Sequence, residues 1–575
     1  MKKNIILLCG TTILIYGAFA LSSTSPTTYQ YTTVTCAVAP AVSGLDWYKT
    51  NTDAPLFEGL DVMDFPVSTK NPLAQRYFNQ GLILAYAFNH AEAARSFWYA
   101  SELDPECAMA YWGFAYVLGP NYNAGMESDS YESAYNAIQT AQKLSAVHSM
   151  PKEKDLIDAL AVRYVKEPVE DRSHLDKAYS DAMKSVFKSY PQDADIGTLY
   201  AESLMILHPW DLWDKKGNPL SWTPEIISTL EQALNHDPRH PGAHHYYIHA
   251  VEASNEPERG LNSSKLYDEG LVPAAGHLLH MPSHIYIRTG KYHEGSLANF
   301  RAIEADSTYI TACNAQGLYP LAYFPHNYHF LAATATLEGN SRWAMDAAVK
   351  VAENVDKEMM KEPGWGTLQH YHTIPYYVYV KFARWNEILQ LEKEDPALVY
   401  PEAVRSYARG MAFLGTGKTD SAKEELSKLR KLADDPSVKD ITIWDLNNAT
   451  DLLEIAVHVL EAEILARQNN FNKSIRLLQT AVQLEDNLNY NEPPDWFFSV
   501  RHHLGAVQTE AGRYADALAT FESDLLKFPE NGWALHGMKL AYSRNNDVDN
   551  EKRIDEQLAT VWATADVDLT GARVK

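Results

Sequence analysis

His245 and His249 stand four residues apart, and the same pair returns 35 residues later as His280 and His284. On a helix, an i, i+4 pair puts both side chains on one face, one turn apart. Four imidazoles on neighbouring helices can supply the nitrogens of a zinc, copper or iron site. They can equally form a metal-free polar network along a binding groove. Glu252 follows His249 by about one turn, where a carboxylate can ligate, orient an imidazole or serve as general base. It is the candidate catalytic residue if the chain is an enzyme. Pro282 lies between His280 and His284, and a mid-helix proline breaks or kinks a helix. No H-E-x-x-H signature accompanies the histidines, so both readings stay open at this level.

The elements that must position these residues are helical. From Asn71 onward no stretch of alternating strand pattern appears, and the informative signal is internal repetition. The segment 74–107 carries Gly81, Ala93, Phe97, Ala100 and Pro105 at the spacing where two antiparallel helices cross closely. The frame returns at 403–436 with Gly410, Gly417 and Ala422, at 455–488 with Ala462, Phe471, Ser474 and Ala481, and at 498–531 with Gly505, Gly512, Tyr514, Ala517, Phe521 and Pro529. A further copy fits 276–309, where Gly290 and Tyr292 mark the inter-helix turn.

On these residues the chain resembles the tetratricopeptide repeat superfamily, and in particular exported bacterial members of undefined biochemical role. The resemblance implies an all-α, right-handed superhelical solenoid of about ten to eleven helix pairs over 71–565, with a concave groove built from the first helix of each pair. Carried over position by position, the groove holds His245, His249, Glu252, His277, His280, His284, Arg288, His326, His329 and His370. Glu202, Trp112 and Tyr116 join it upstream. Thirteen of the 21 histidines fall between His236 and His372, largely on groove positions. The repeat period is interrupted near Gly119–Asn123, Lys166–Ser173, His208–Asn218 and Ala312–Tyr319, and the last two, rich in Trp, Tyr, Pro and Gly, suggest loops along one groove edge.

Composition bounds the rest. The 575 residues are 46% hydrophobic and 22% charged, with a formal net charge of -24. That balance is ordinary for a folded chain and argues against nucleic acid, which demands a basic patch. Lys2 and Lys3, an apolar run from about Ile5 to Ala18 and the A-x-A site Ala18-Phe19-Ala20 read as a signal peptide over 1–20. Export to the periplasm or outer surface of a bacterium follows, with no membrane span after cleavage. Residues 21–70 form a Ser/Thr/Pro-rich tail and 566–575 a C-terminal one. The cysteines that remain, Cys36, Cys107 and Cys313, make no disulfide framework. The stretch 412–419 imitates a phosphate-binding loop, but Gly417 fits an inter-helix turn instead.

Together these features predict a scaffold that binds a protein, a peptide or a small polar ligand in its groove, in an envelope or nutrient-acquisition process. Two alternatives stand beside it. One is a metalloprotein or metalloenzyme using His245, His249, His280 and His284. The other is a carbohydrate-binding accessory protein relying on aromatics such as Trp112 and Tyr116.

Overall fold

Small residues set against aromatic ones decide how the helices pair. Gly81, in the helix Pro72–Tyr86, and Gly113, in Ala108–Leu118, both face the ring of Phe97 from His90–Leu103. A Cβ at Gly113 would stand 2.4 Å from that ring, so only hydrogen fits there. The arrangement repeats at the far end of the chain, where Gly505 and Gly537 close on Phe521. Ala93, Ala100 and Ala517 are fully buried at the same crossings. Asparagine and aspartate side chains at positions 71, 89, 193, 340 and 531 accept hydrogen bonds from the first turns of their helices. Gly290, Gly339, Gly417 and Gly512 end helices in the left-handed region, with φ between +74° and +80°.

The computed structural model describes residues 54–573, apart from 314–318. The signal-peptide expectation, most of the 21–70 tail and the centre of the Ala312–Tyr319 loop lie outside the described residues. Within them the chain is an all-α helical solenoid, each helix packing on the next and several first helices of the pairs packing also on the next but one. The repeat frames predicted at 74–107, 276–309, 403–436, 455–488 and 498–531 each coincide with an antiparallel helix pair. Gly417 lies in the turn between Val399–Gly415 and Thr419–Ala433, so the loop-like motif there is a hairpin turn. One two-residue strand pair, Thr442–Ile443 with Asn447–Asn448, interrupts the helices. No described helix is long and apolar enough to cross a membrane.

Both ends of the described chain fold back onto the middle, so the expected open groove is an interior. Tyr86, at the end of the first helix, packs on Gly242, where a Cβ would lie 2.6 Å from its ring. Tyr292 Oη donates to the Pro529 carbonyl at 2.7 Å, and Trp533 Nε1 to the Thr336 carbonyl at 2.8 Å. Both flanks expected as tails also pack. Phe65 lies against Phe78, with ring centroids 5.5 Å apart, and Ala572 is buried in the cluster around Phe521 and Met538.

The glycine–aromatic crossings lead to a direct test. Gly113→Ala should destabilise the chain by roughly 1–3 kcal/mol, the usual cost of overpacking. Gly125→Ala, whose Cβ would meet nothing within 4 Å, should change stability by no more than about 0.5 kcal/mol. Urea denaturation of the two variants distinguishes them.

Candidate metal centre

The helix Pro241–Val251 begins with His240 as its cap, its Nδ1 accepting from the Ala243 amide at 3.0 Å, and Pro241 at its first position. Not all of its histidines are alike. His240 Nε2 meets Asp195 at 3.1 Å, and His244 reaches Ser263 at 2.9 Å and the Pro238 carbonyl at 3.0 Å. Both nitrogens of each ring are thereby engaged, and these two side chains are structural. His245 and His249 spend Nδ1 on groups behind their rings. His245 Nδ1 donates to the Tyr86 carbonyl at 2.6 Å, and His249 Nδ1 donates to Glu252 Oε1 at 2.8 Å.

The second pair is held the same way. The helix divides into Gly276–His280 and Pro282–Arg288, yet Met281 keeps helical dihedrals (φ −52°, ψ −35°). Pro282 therefore serves as the first residue of the continuing segment, and His280 and His284 still face one another. His284 Nδ1 donates to Glu252 Oε2, and His280 Nδ1 lies 2.8 Å from Asn299 Oδ1. Asn299 Nδ2 donates to the Gly295 carbonyl at 2.8 Å, which fixes the amide with its oxygen towards His280, so His280 Nδ1 is the donor.

Four imidazoles thus carry their proton on Nδ1 and direct Nε2 lone pairs inwards. The four do not form one site. His245 and His249 gather with His277, and His280 and His284 with His326, each set having ligand atoms within 4.8 Å of one another. His277 and His326, expected as groove contacts, each supply the third imidazole. Glu252 lies between the sets and accepts one Nδ1–H from each. Burial opposes its ionisation, but His284 and His249 hold its carboxyl down at about 2.

One inward contact lacks a proton when both of its rings are neutral. His280 Nε2 and His284 Nε2 are 2.8 Å apart with both Nδ1–H groups already spent. His277 Nε2 donates to His245 Nε2 at 3.2 Å, its own Nδ1 being without a partner, and His249 Nε2 has no hydrogen-bond partner. Two nitrogens on one metal at roughly 2.0–2.1 Å stand roughly 3.3 Å apart in a tetrahedral arrangement. The donors of these two sets are imidazoles, while Glu252 with His249 and His284 forms a third set within the same reach, and such donors suit zinc, copper, iron or nickel.

The remaining predicted residues lie elsewhere in the interior. Arg288 donates to the carbonyls of Glu252 and Ser254 and stacks over Tyr490, so much of its guanidinium is spent on the backbone. His329 stacks on Phe497, and His370 Nδ1 pairs with Tyr400 Oη at 2.8 Å; neither joins a triad. Glu202 is buried away from the triads, and burial pushes its carboxyl up to about 7. Trp112 and Tyr116 stack on each other at 5.2 Å, buried, with Trp112 Nε1 donating to the Leu156 carbonyl. They are core and offer no face to a partner, because the helices flanking Ala108–Leu118 cover them. His502 pairs with Asp524 and Lys381, far from the cluster in sequence and apart from both triads.

Sequence reasoning missed Phe88, Asn299 and Trp444. Phe88 occupies the left-handed turn position (φ +54°) that glycine takes in other hairpins, and packs on His245 (4.6 Å) and His277 (5.3 Å). Left-handed backbone costs a residue with a Cβ roughly 1–2 kcal/mol. An aromatic residue at a glycine position of the repeat was the signal available for it.

No protein-family model and no curated protein matches this chain. Among solved structures it is similar to the human IFIT1 dimer with m7Gppp-AAAA, at 12% identity and a TM-score of 0.31 over 86% of this chain and 91% of that one. It is similar also to the Cut9–Hcn1 hetero-tetramer of the APC/C, at 14% identity and a TM-score of 0.27 over 86% and 74%. Yeast Tom70 is a third, at 12% and 0.26 over 85% and 92%. At such scores these likenesses bear on neither ligand nor reaction.

The buried imidazoles set a pH dependence. Burial holds His245, His277, His280 and His329 well below the ordinary histidine value, and brings His370 to about 3. The unfolded chain takes up these protons near pH 6.5, where the folded chain does not. The unfolded state then binds more protons, and stability falls as pH drops below about 6.5. At pH 5.5 each such group costs up to about 1.4 kcal/mol. Urea midpoints of the metal-free chain should decline steadily from pH 7.5 to 5.5; a flat profile would contradict neutral imidazoles.

Proposed function

We propose that this chain is an exported metalloprotein whose repeat array holds two transition-metal ions side by side. One ion takes His245, His249 and His277; the other takes His280, His284 and His326. The observation that carries this reading is the pair His280 Nε2 and His284 Nε2, 2.8 Å apart on two rings whose Nδ1 atoms already face Asn299 Oδ1 and Glu252 Oε2. Two lone pairs at that distance repel unless a cation joins them. Glu252 and Asn299 hold the ring orientations, the outer-shell role that metal-bound histidines ordinarily require.

Three protein ligands with a further position open is the pattern of reactive zinc sites, whereas structural ones are closed by four. The reading therefore places this chain nearer to a metalloenzyme than to a passive store. A scaffold for a protein or peptide in an open groove has less support, because His277, His329, His370, Glu202, Trp112 and Tyr116 are each 3% exposed or less. Export rests on the Lys2–Ala20 segment, and the compartment assigned is the bacterial periplasm or outer surface.

Elemental analysis of the purified chain, after loading with zinc or copper, tests the proposal. Two equivalents are expected. The double variant His245→Ala/His277→Ala should lose one, and His280→Ala/His326→Ala the other, with circular dichroism reporting that each still folds. A folded wild-type chain that retains neither metal would sink the reading.

A further inference from the structure

Two histidines from each triad line a cavity of about 410 Å³, within the size range of small-molecule sites. His249, His277, His284 and His326 line it, so members of both triads face the same space. Tyr122, Trp210, Tyr323 and Trp444 stand around it. Tyr122 and Trp210 are stacked, with centroids 5.4 Å apart and planes at 25°. Trp210 Nε1 is spent on Asn123 Oδ1 at 3.1 Å, which fixes the indole. Trp444 rises from the turn between the two short strands, its amide donating to Thr367 Oγ1 at 2.8 Å.

Backbone conformation singles out these walls. Eight described non-glycine residues adopt left-handed φ. Ala383, Asn469, Glu530 and Asn546 lie in turns between helices. The three aromatic ones, Phe88, Trp210 and Trp444, all adjoin the histidine cluster or its cavity. Bulky residues in this region are strained, and strain that gathers at one place marks a site whose geometry is held for a ligand.

Asn121, Asn123, Asp445 and Asn491 add polar groups to the wall. Four buried atoms on it have no partner: His249 Nε2, His277 Nδ1, Tyr323 Oη and Glu492 Oε2, the other Glu492 oxygen accepting from Tyr490 Oη at 2.7 Å. Arg172 is occupied by Asp176, leaving no free cation on the wall for a carboxylate or phosphate. Aromatic faces, an imidazole floor and unpartnered polar atoms, the Glu492 oxygen among them, together suit a flat ring that carries hydroxyl groups.

The geometry points to a single-ring phenol or catechol as the ligand of this cavity, its oxygen completing the coordination of the paired sites and its ring set among Trp210, Tyr122 and Trp444. Glu492 is placed to accept the hydroxyl proton. This inference rests on the two-ion reading above.

The probe is 4-nitrocatechol, whose visible band shifts on ionisation and chelation, titrated into the full chain loaded with zinc, a colourless ion. A saturable shift is expected with the wild-type chain. Trp210→Gly and Trp444→Gly should weaken it tenfold or more with zinc content unchanged. Glycine accepts the left-handed backbone at both positions, so these variants should fold. Normal zinc content without a shift, or tryptophan variants that bind as well as wild type, would overturn the cavity assignment and leave the metal reading intact. Failure to take up zinc would instead overturn the metal reading. Equal affinity for the zinc-free chain, followed by tryptophan quenching, would overturn the coordination.

Discussion

Everything at the centre of this molecule depends on one carboxylate. Glu252 is buried between the two histidine triads and accepts a proton-bearing Nδ1 from His249 on one side and His284 on the other. A buried carboxylate costs several kcal/mol unless charge-assisted hydrogen bonds offset it. Those two bonds select the tautomer of both rings, and the tautomer decides which nitrogen remains free. Asn299 and the Tyr86 carbonyl do the same for His280 and His245. The inward display of Nε2 lone pairs is therefore a consequence of groups behind the rings.

Those groups come from distant parts of the chain, which is why closure of the array matters. Tyr86 ends the first described helix, Asn299 lies on the long helix Tyr292–Cys313, and His326 follows one element later. An open stack of hairpins would leave the first-helix faces in water, where imidazoles titrate normally and bind peptides as well as metals. Here the first helix seats on Gly242 and the C-terminal hairpins seat on the middle. Burial at these positions holds His245, His249, His277 and His280 below the ordinary histidine value, and an unsatisfied lone pair there is expensive.

The contrast among neighbouring histidines shows how local chemistry sorts them. His240 and His244 lie within five residues of His245, yet each satisfies both nitrogens with protein groups. Helical position accounts for this: the 240 and 244 side chains reach back to Asp195, Pro238 and Ser263, while 245 and 249 point at the opposite repeat. Residue type alone could not have separated them. Strain divides the turns in a similar way, with glycine, alanine or asparagine at ordinary hairpins and Phe88 at the one beside His245.

The sequence by itself determined the hairpin architecture, because glycine and aromatic residues recurring at a fixed period can bury one another only as antiparallel helix pairs. Gly81 with Phe97, and Gly505 with Phe521, are local crossings and are readable as such. The i, i+4 spacing likewise put His245 beside His249 and His280 near His284 without any knowledge of the fold. Only the tertiary structure decided that these pairs acquire His277 and His326 and become two triads instead of one four-nitrogen set. It also decided that Trp112 and Tyr116 are core, and that Phe88 and Trp444 wall the centre. Those outcomes turn on contacts between segments tens to hundreds of residues apart, and a repeat period carries no record of how far its array curls before its ends meet the middle.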